Sequence, residues 1–328
     1  MPETIALLDA IDERIVERMR SLLPPGFSLI HARSCDPTTK AGEQERLEGL
    51  IANADYAISG QIAVDARTLR AGKRLKLLHK WGVGIDNLDL EAARSLGIRV
   101  ARTTGSNALP VAEFALGLIL ATLRNIPQGH RSLNEGRWEQ SSAGGTPFLL
   151  SGKTVGMIGF GAIARRLAGL LRGFGCESLY HKPRPLPPEE ERRHGARFAS
   201  LAELLERSDI VSLHCPLDER TRHLVDRDFL AAMKKNAVLI NVARGEVVVE
   251  EALIEALAQG RLRGAAMDVF EIEPLAANSP LLGVDRLIIT PHIAAMAADN
   301  FEPTVRRMFG NILAFSQGEA IRKGDAVI

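Results

Sequence analysis

Short runs of apolar and β-branched residues alternate along this chain with segments whose apolar positions recur at helical spacing. The runs at Tyr56–Ser59, Leu75–His79, Arg99–Ala101, Thr154–Ile158, Ser178–Tyr180, Ile210–His214, Val238–Val242, Ala265–Val269 and Leu287–Thr290 predict strands. Between them, Glu43–Asn53, Leu90–Leu96, Ala162–Phe174, Leu201–Arg207, Arg227–Ala232 and Glu250–Ala258 predict helices. Such alternation points to an α/β protein with parallel, doubly wound sheets and helices on both faces. Two longer helical patterns interrupt the rhythm. Val111–Arg124 is apolar nearly all round and should be buried on several sides, and Pro291–Phe315 runs almost to Gly318. Taken as hinge helices, they divide the chain into an outer domain, 1–103 plus 294–328, around a continuous inner one, 104–293. Pro183–Glu191, with four prolines and three glutamates, reads as a stiff solvated loop.

The length of 328 residues agrees with two domains that each bury a core. A net charge of +1 leaves no basic surplus for nucleic acid or an anionic membrane. The apolar stretch Phe114–Leu123 is far too short to span a bilayer. The segment Met1–Asp12 has no basic start followed by an apolar run, so no secretory signal is expected. Cys35, Cys176 and Cys215 are odd in number and widely spaced, which fits reduced thiols and neither a disulfide framework nor a metal site. A cytoplasmic enzyme is the expectation.

The sharpest local signal is Lys153-Thr-Val-Gly-Met-Ile-Gly-Phe-Gly-Ala-Ile-Ala-Arg, in which Gly159, Gly161 and Ala164 occupy the positions of G-x-G-x-x-[G/A] between a strand and a helix. Gly159 permits the tight turn, and Gly161 allows a pyrophosphate close to the main chain. Ala162 and Ile163 open the helix whose free amides face the phosphates. Ser151-Gly-Lys-Thr is no P-loop, because it precedes the strand and Pro147 stands where the first glycine belongs. After the next strand a dinucleotide site for NAD expects an acidic residue. This chain has His181, Lys182 and Arg184 there, which favours NADP(H), with NAD(H) the alternative.

Three further segments follow strands: Asn241-Val-Ala-Arg244-Gly, Asp268-Val-Phe-Glu-Ile-Glu273-Pro and Thr290-Pro-His292-Ile-Ala. Hydride transfer to a ketone needs a proton for the oxygen and a cation to hold the substrate. His292 suits proton transfer in both directions, Glu273 would favour and orient its imidazolium, and Arg244 presents a planar fork to a carboxylate. Taken singly, a histidine after proline is more often a packing residue, a glutamate before proline is usually solvated, and an arginine before glycine commonly ends a strand. Their occurrence in order on successive strand ends of a dinucleotide fold outweighs those readings.

With these segments, Lys80-Trp-Gly-Val-Gly-Ile-Asp-Asn, Thr104-Gly-Ser-Asn-Ala-Leu-Pro-Val-Ala-Glu113 and His214-Cys-Pro-Leu, the chain resembles the D-isomer-specific 2-hydroxyacid dehydrogenase family over nearly its whole length. The resemblance implies a Rossmann-type coenzyme domain inserted into a flavodoxin-like substrate domain, with the active site in the cleft between them and closure by hinge motion. It implies that Arg244 binds substrate, that Glu273 and His292 supply the proton, and that the amides of Val83 and Gly84 receive the substrate carboxylate. It also implies that Asp268 holds the nicotinamide carboxamide, that Val242 and Ala243 line the ring, and that Cys215, Pro216 and Thr221 lie on the adenine side. A homodimer through the Val111–Arg124 helix belongs to the same expectation.

Departures from the family pattern narrow the substrate. The sequence stops at Ile328, without the regulatory domain of long phosphoglycerate dehydrogenases, and Ile58–Val64 lacks the arginine that phosphate-binding members tend to carry. Glu273 stands where formate dehydrogenases place glutamine. The reading is an NADPH-preferring hydroxypyruvate/glyoxylate reductase. The alternative is an NAD-dependent D-3-phosphoglycerate dehydrogenase without a regulatory domain, and a dinucleotide-sensing corepressor-like protein is more remote.

Overall fold

A computed structural model describes residues 2–32, 40–140 and 145–328; Cys35 lies outside them. The chain divides into two compact units, Met1–Asn107 with Ala297–Ile328, and Ala108–Met296.

The first unit contains β1 (Glu3–Leu7), α1 (Glu13–Arg20), β2 (Phe27–His31), α2 (Lys40–Ala52), β3 (Tyr56–Ser59), α3 (Ala66–Ala71), β4 (Leu77–Lys80), α4 (Leu90–Ser95) and β5 (Arg99–Arg102). Its strands form one parallel sheet in the order β2-β1-β3-β4-β5, the flavodoxin-like order. Both faces are covered, so the central strands are buried along most of their length: Ile5, Ala6 and Leu7 of β1 are fully buried, as are Tyr56–Ser59 of β3. Leu47, Ile51, Leu69 and Ala93 pack on one face. Val16 and Met19 pack on the other, together with Val305, Met308, Phe309 and Ile312 of the helix Ala298–Ser316. Asp12, Asp65 and Asp89 cap α1, α3 and α4 by accepting from backbone amides.

Residues 325–328 lie against β5. The amides of Val100 and Arg102 donate to the carbonyls of Ile328 (3.3 Å) and Asp325 (2.8 Å), and Val327 N donates to Val100 O at 2.8 Å. Asp325 is fully buried and accepts from Arg307, Asn311 and the Thr104 amide. Asn311 Nδ2 also lies 3.0 Å from Nε2 of the buried His79.

The second unit contains α5 (Ala108–Arg124), α6 (Ile126–Asn134), β6 (Thr154–Ile158), α7 (Ala162–Leu171), β7 (Glu177–His181), α8 (Pro188–His194), β8 (Ala196–Phe198), α9 (Leu201–Arg207), β9 (Ile210–Leu213), α10 (Arg227–Ala232), β10 (Val238–Asn241), α11 (Glu250–Ala258), β11 (Gly264–Met267) and β12 (Leu287–Ile289). These seven strands form a second parallel sheet, ordered β12-β11-β10-β9-β6-β7-β8. The order reverses at β6, which has β7 on one side and β9 on the other. Open sheets of this kind bind ligands beyond the carboxyl ends of strands at that reversal. Among the described residues, no single helix is long and apolar enough to cross a membrane.

Two sequence expectations need correction. Pro183–Glu191 is not simply a solvated loop, because α8 begins at Pro188. Proline suits a first helical position, Glu189–Glu191 face the positive end of the helix and Arg192–His194 its negative end, and Gly195 closes it at φ 63°. The Leu186 amide and Glu191 are also tied to the Tyr180 hydroxyl, at 2.7 and 2.8 Å. The helix expected from Pro291 begins only at Ala298 and is α12 (Ala298–Ser316). Residues 291–297 are held by side-chain bonds that the helical pattern does not reveal.

Candidate functional site

The glycine turn follows β6. Gly159 has φ +85°, and a Cβ there would stand 2.7 Å from the His214 carbonyl and the Cys215 amide. Only glycine allows this approach, which brings the 214–216 loop beside the turn. Gly161 caps α7 without a side-chain bond, and no atom lies within 4 Å of where its Cβ would be. The amides of Ala162 and Ile163, in the first turn of α7, have no acceptor among the described residues, and the empty space at Gly161 leaves room for a ligand beside them, as a pyrophosphate requires. The residues present fit a dinucleotide.

His181 sits beside the turn, its carbonyl accepting from Gly159 N at 2.8 Å. Its Nδ1 lies 3.0 Å from the Ala199 carbonyl and donates to it, which fixes the ring. Lys182 and Arg184 have no acidic partner among the described residues. Cys215 is buried, and burial pushes its thiol up to about 11, which leaves it unreactive. Thr221 Oγ1 donates to the Pro216 carbonyl at 2.7 Å and closes that loop.

His292, Glu273 and Arg244 come together around the ends of β10, β11 and β12. His292 Nδ1 and Glu273 Oε2 are 2.6 Å apart, and both side chains are partly exposed. Glu273 Oε1 accepts from the Phe270 amide at 2.9 Å. Burial raises the Glu273 carboxyl, but the bonds from His292 and Phe270, with the nearby charges of His292 and Arg244, outweigh it and hold the group below its ordinary value.

Two buried side chains, to which the sequence assigns no supporting part, brace this arrangement. Asn241 spans its own turn, with Oδ1 accepting from Ala243 N at 3.0 Å and Nδ2 donating to Arg244 O at 2.9 Å. Gly245 then lies so close to the Phe270–Glu271 backbone that a Cβ would fall 1.8 Å from Phe270 C. That contact brings the Arg244 turn onto the segment carrying Glu273. Asp268 is 1% exposed. Its Oδ1 accepts from Thr290 Oγ1 at 2.6 Å and Ile293 N at 3.0 Å, and its Oδ2 from Ala294 N at 2.8 Å. His292 between them has φ 52°, an unfavourable conformation for a residue with a side chain, which those bonds maintain. Val242 and Ala243 are buried at the end of β10.

In the first unit, Val83 and Gly84 follow β4. Their amides have no acceptor among the described residues, whereas Trp81 N donates to Ser59 O at 2.8 Å and Gly82 N to Thr103 Oγ1 at 3.2 Å. Both residues are only part-buried. The backbone is thus satisfied before the pair and open at it.

Comparison with known proteins places the chain in a family. The family model described as "D-isomer specific 2-hydroxyacid dehydrogenase, NAD binding domain" matches residues 116–294. The chain is 37% identical over 274 residues to the hydroxypyruvate reductase of Thermotoga maritima, covering 83% of this chain and 88% of that protein. It is 34% identical over 323 residues to the glyoxylate reductase of Aeropyrum pernix, covering 97% and 91%. The TT0316 protein of Thermus thermophilus superposes with a TM-score of 0.85 at 32% identity, covering 99% of this chain and all of that one. The chain therefore belongs to the D-isomer-specific 2-hydroxyacid dehydrogenase family, oxidoreductases that use a nicotinamide cofactor.

Proposed function

We propose that this chain is an NADPH-preferring reductase of small 2-keto acids, acting on hydroxypyruvate and glyoxylate to give the D-2-hydroxy acid. The names of its relatives support the substrate class. The observation that carries the cofactor preference is the pair Lys182 and Arg184, two cations without acidic partners among the described residues just beyond β7, where a ribose-binding carboxylate would otherwise stand.

When bound, the nicotinamide supplies a hydride to the keto carbon. Gly159 and Gly161 let the main chain approach the pyrophosphate, and the amides of Ala162 and Ile163 hold it. His181, Lys182 and Arg184 surround the 2′-phosphate. Cys215, Pro216 and Thr221 border the adenine, and Val242 and Ala243 border the nicotinamide. Asp268 keeps acceptor capacity on Oδ2 for the carboxamide, since that oxygen takes one bond. Arg244 grips the substrate, and the amides of Val83 and Gly84 receive its carboxylate. His292 gives a proton from Nε2 to the substrate oxygen while Glu273 holds Nδ1 and orients the ring. The protein works in the cytoplasm as a homodimer through the Val111–Arg124 helix region, near which Leu109, Ile126 and Leu133 are exposed.

The test is the initial rate with hydroxypyruvate at equal sub-saturating NADPH and NADH, repeated for Lys182→Ala/Arg184→Ala. A preference for NADPH that the double variant abolishes supports the reading. A preference for NADH overturns it and moves an NAD-dependent role, phosphoglycerate oxidation included, to the front.

A further inference from the structure

β5 ends at Arg102, whose Nη1 donates to the Val83 carbonyl oxygen at 3.2 Å. Its Nε is shielded from water and has no hydrogen-bond partner, and no carboxylate pairs with it among the described residues. The guanidinium charge is therefore not neutralised where it stands. The Val83–Gly84 peptide is trans, as peptides not preceding proline are. In a trans peptide the N–H points away from the C=O. Arg102 thus holds one end of a peptide whose other end, the Gly84 N–H, has no acceptor among the described residues. A cation bonded to the carbonyl draws charge toward it and makes the opposite N–H a stronger donor. The backing cation also favours a negative ligand in front of the amide.

We propose that Arg102 is a positioning residue for the substrate carboxylate, fixing and polarising the Val83–Gly84 peptide from behind. This rests on the reading that those amides take the carboxylate. It deepens that reading by making recognition of an anion depend on a residue that does not touch the reacting atoms. Arg102 then acts on the affinity for carboxylates. It leaves the chemical step, the nucleotide and ketones without a carboxylate unaffected.

The experiment uses the full chain and the variants Arg102→Met, Arg102→Gln and Arg102→Lys. It measures KM and kcat for hydroxypyruvate and for hydroxyacetone, calorimetric binding of oxamate in the presence of nucleotide, and thermal unfolding. Arg102→Met is expected to raise the hydroxypyruvate KM and the oxamate Kd about 5–30-fold, with kcat changed less than about twofold. Hydroxyacetone kinetics should not move, and Arg102→Lys should recover most of the loss. Arg102→Gln keeps a donor to the Val83 carbonyl without the charge; it should weaken oxamate binding too, and it replaces Arg102→Met should that variant not fold. An unchanged KM and oxamate Kd overturn the proposal. So does a loss confined to kcat and stability, or a lysine variant no better than methionine. If the wild-type chain reduces no 2-keto acid yet binds oxamate through Arg102, the functional reading falls and the anion site stands. If the wild type turns over and Arg102→Met is indistinguishable from it, the reverse holds.

Discussion

Replacing Asp268 by asparagine tests whether a buried carboxylate sets the shape of the His292 segment. Asp268 is 1% exposed and accepts three bonds, two at Oδ1 and one at Oδ2. An asparagine has one acceptor end. If its carbonyl faces Thr290 Oγ1 and Ile293 N, its amino group meets the Ala294 N–H, and two donors oppose each other. A buried donor left unsatisfied costs about 1–3 kcal/mol, and the two remaining bonds lose the strength of an ionised acceptor. The sum is about 2–4 kcal/mol, which for a unit the size of Ala108–Met296 lowers the melting temperature by roughly 5–15 °C. Thermal unfolding without nucleotide, with hydrogen exchange followed at Ile293 and Ala294, reads both the cost and its location. The variant should melt lower and exchange faster at those two amides, and it should lose kcat as His292 leaves its constrained φ. A melting temperature within about 2 °C of wild type, with unchanged exchange at both amides, would refute the assignment.

Other outcomes follow from the same geometry. His292→Gln should lower kcat/KM for 2-keto acids by about 10²–10⁴-fold while the nucleotide Kd, read by fluorescence titration, stays within a few-fold of wild type. Glu273→Gln should cost less activity, because Glu273 acts through His292. Its stability penalty should also depend on pH: the folded-state carboxyl lies below its ordinary 4.5, so the wild-type advantage is full above 4.5 and disappears as pH falls through the lower folded value. Urea unfolding of both proteins from pH 7 to 3 checks this. Burial of His79 lowers its ring to about 4, despite the Lys80 carbonyl and Asp325, whereas the unfolded chain protonates it near 6.5. Stability of the first unit should therefore be full above 6.5 and fall by about 3 kcal/mol as pH drops from 6.5 to 4, a slope that His79→Gln should flatten.

The pattern of apolar runs already shows much of this architecture. Tyr56–Ser59, Thr154–Ile158 and the helices Leu201–Arg207, Arg227–Ala232 and Glu250–Ala258 occur with the bounds that periodicity predicts. The strands β1, β2 and β8 and the helices α1, α3, α6 and α8 do not emerge from it. They are short, and what stabilises them is a cap, a neighbouring strand or a covering helix, none of which periodicity registers. The proline and glutamate content that makes residues 183–191 look like a loop is also what starts α8. The residues of the candidate site are legible as types in order, because each closes a strand of a dinucleotide fold. Their bracing is not legible. Asp268 is bonded across 22 to 26 residues to the segment that holds His292, and the pattern that predicts a helix from Pro291 contains no trace of those bonds. The open amides at Val83 and Gly84 are visible only once every neighbouring amide has been given its acceptor.

The segment Asp325–Ile328 has a further consequence. A strand at the border of a sheet presents a row of unused donors and acceptors that can template pairing with another molecule. β5 is such a border strand, and Asp325–Ile328 runs antiparallel along it, engaging Val100 and Arg102. These four residues thus serve as a selvedge, a woven margin that keeps the fabric from fraying into its neighbours. Removing them would uncover that edge, strip Val327 and Ile328 from the core beneath it, and leave Arg307 and Asn311 without their buried acceptor. The damage from such a truncation would then show as concentration-dependent self-association together with a lower melting temperature of the first unit.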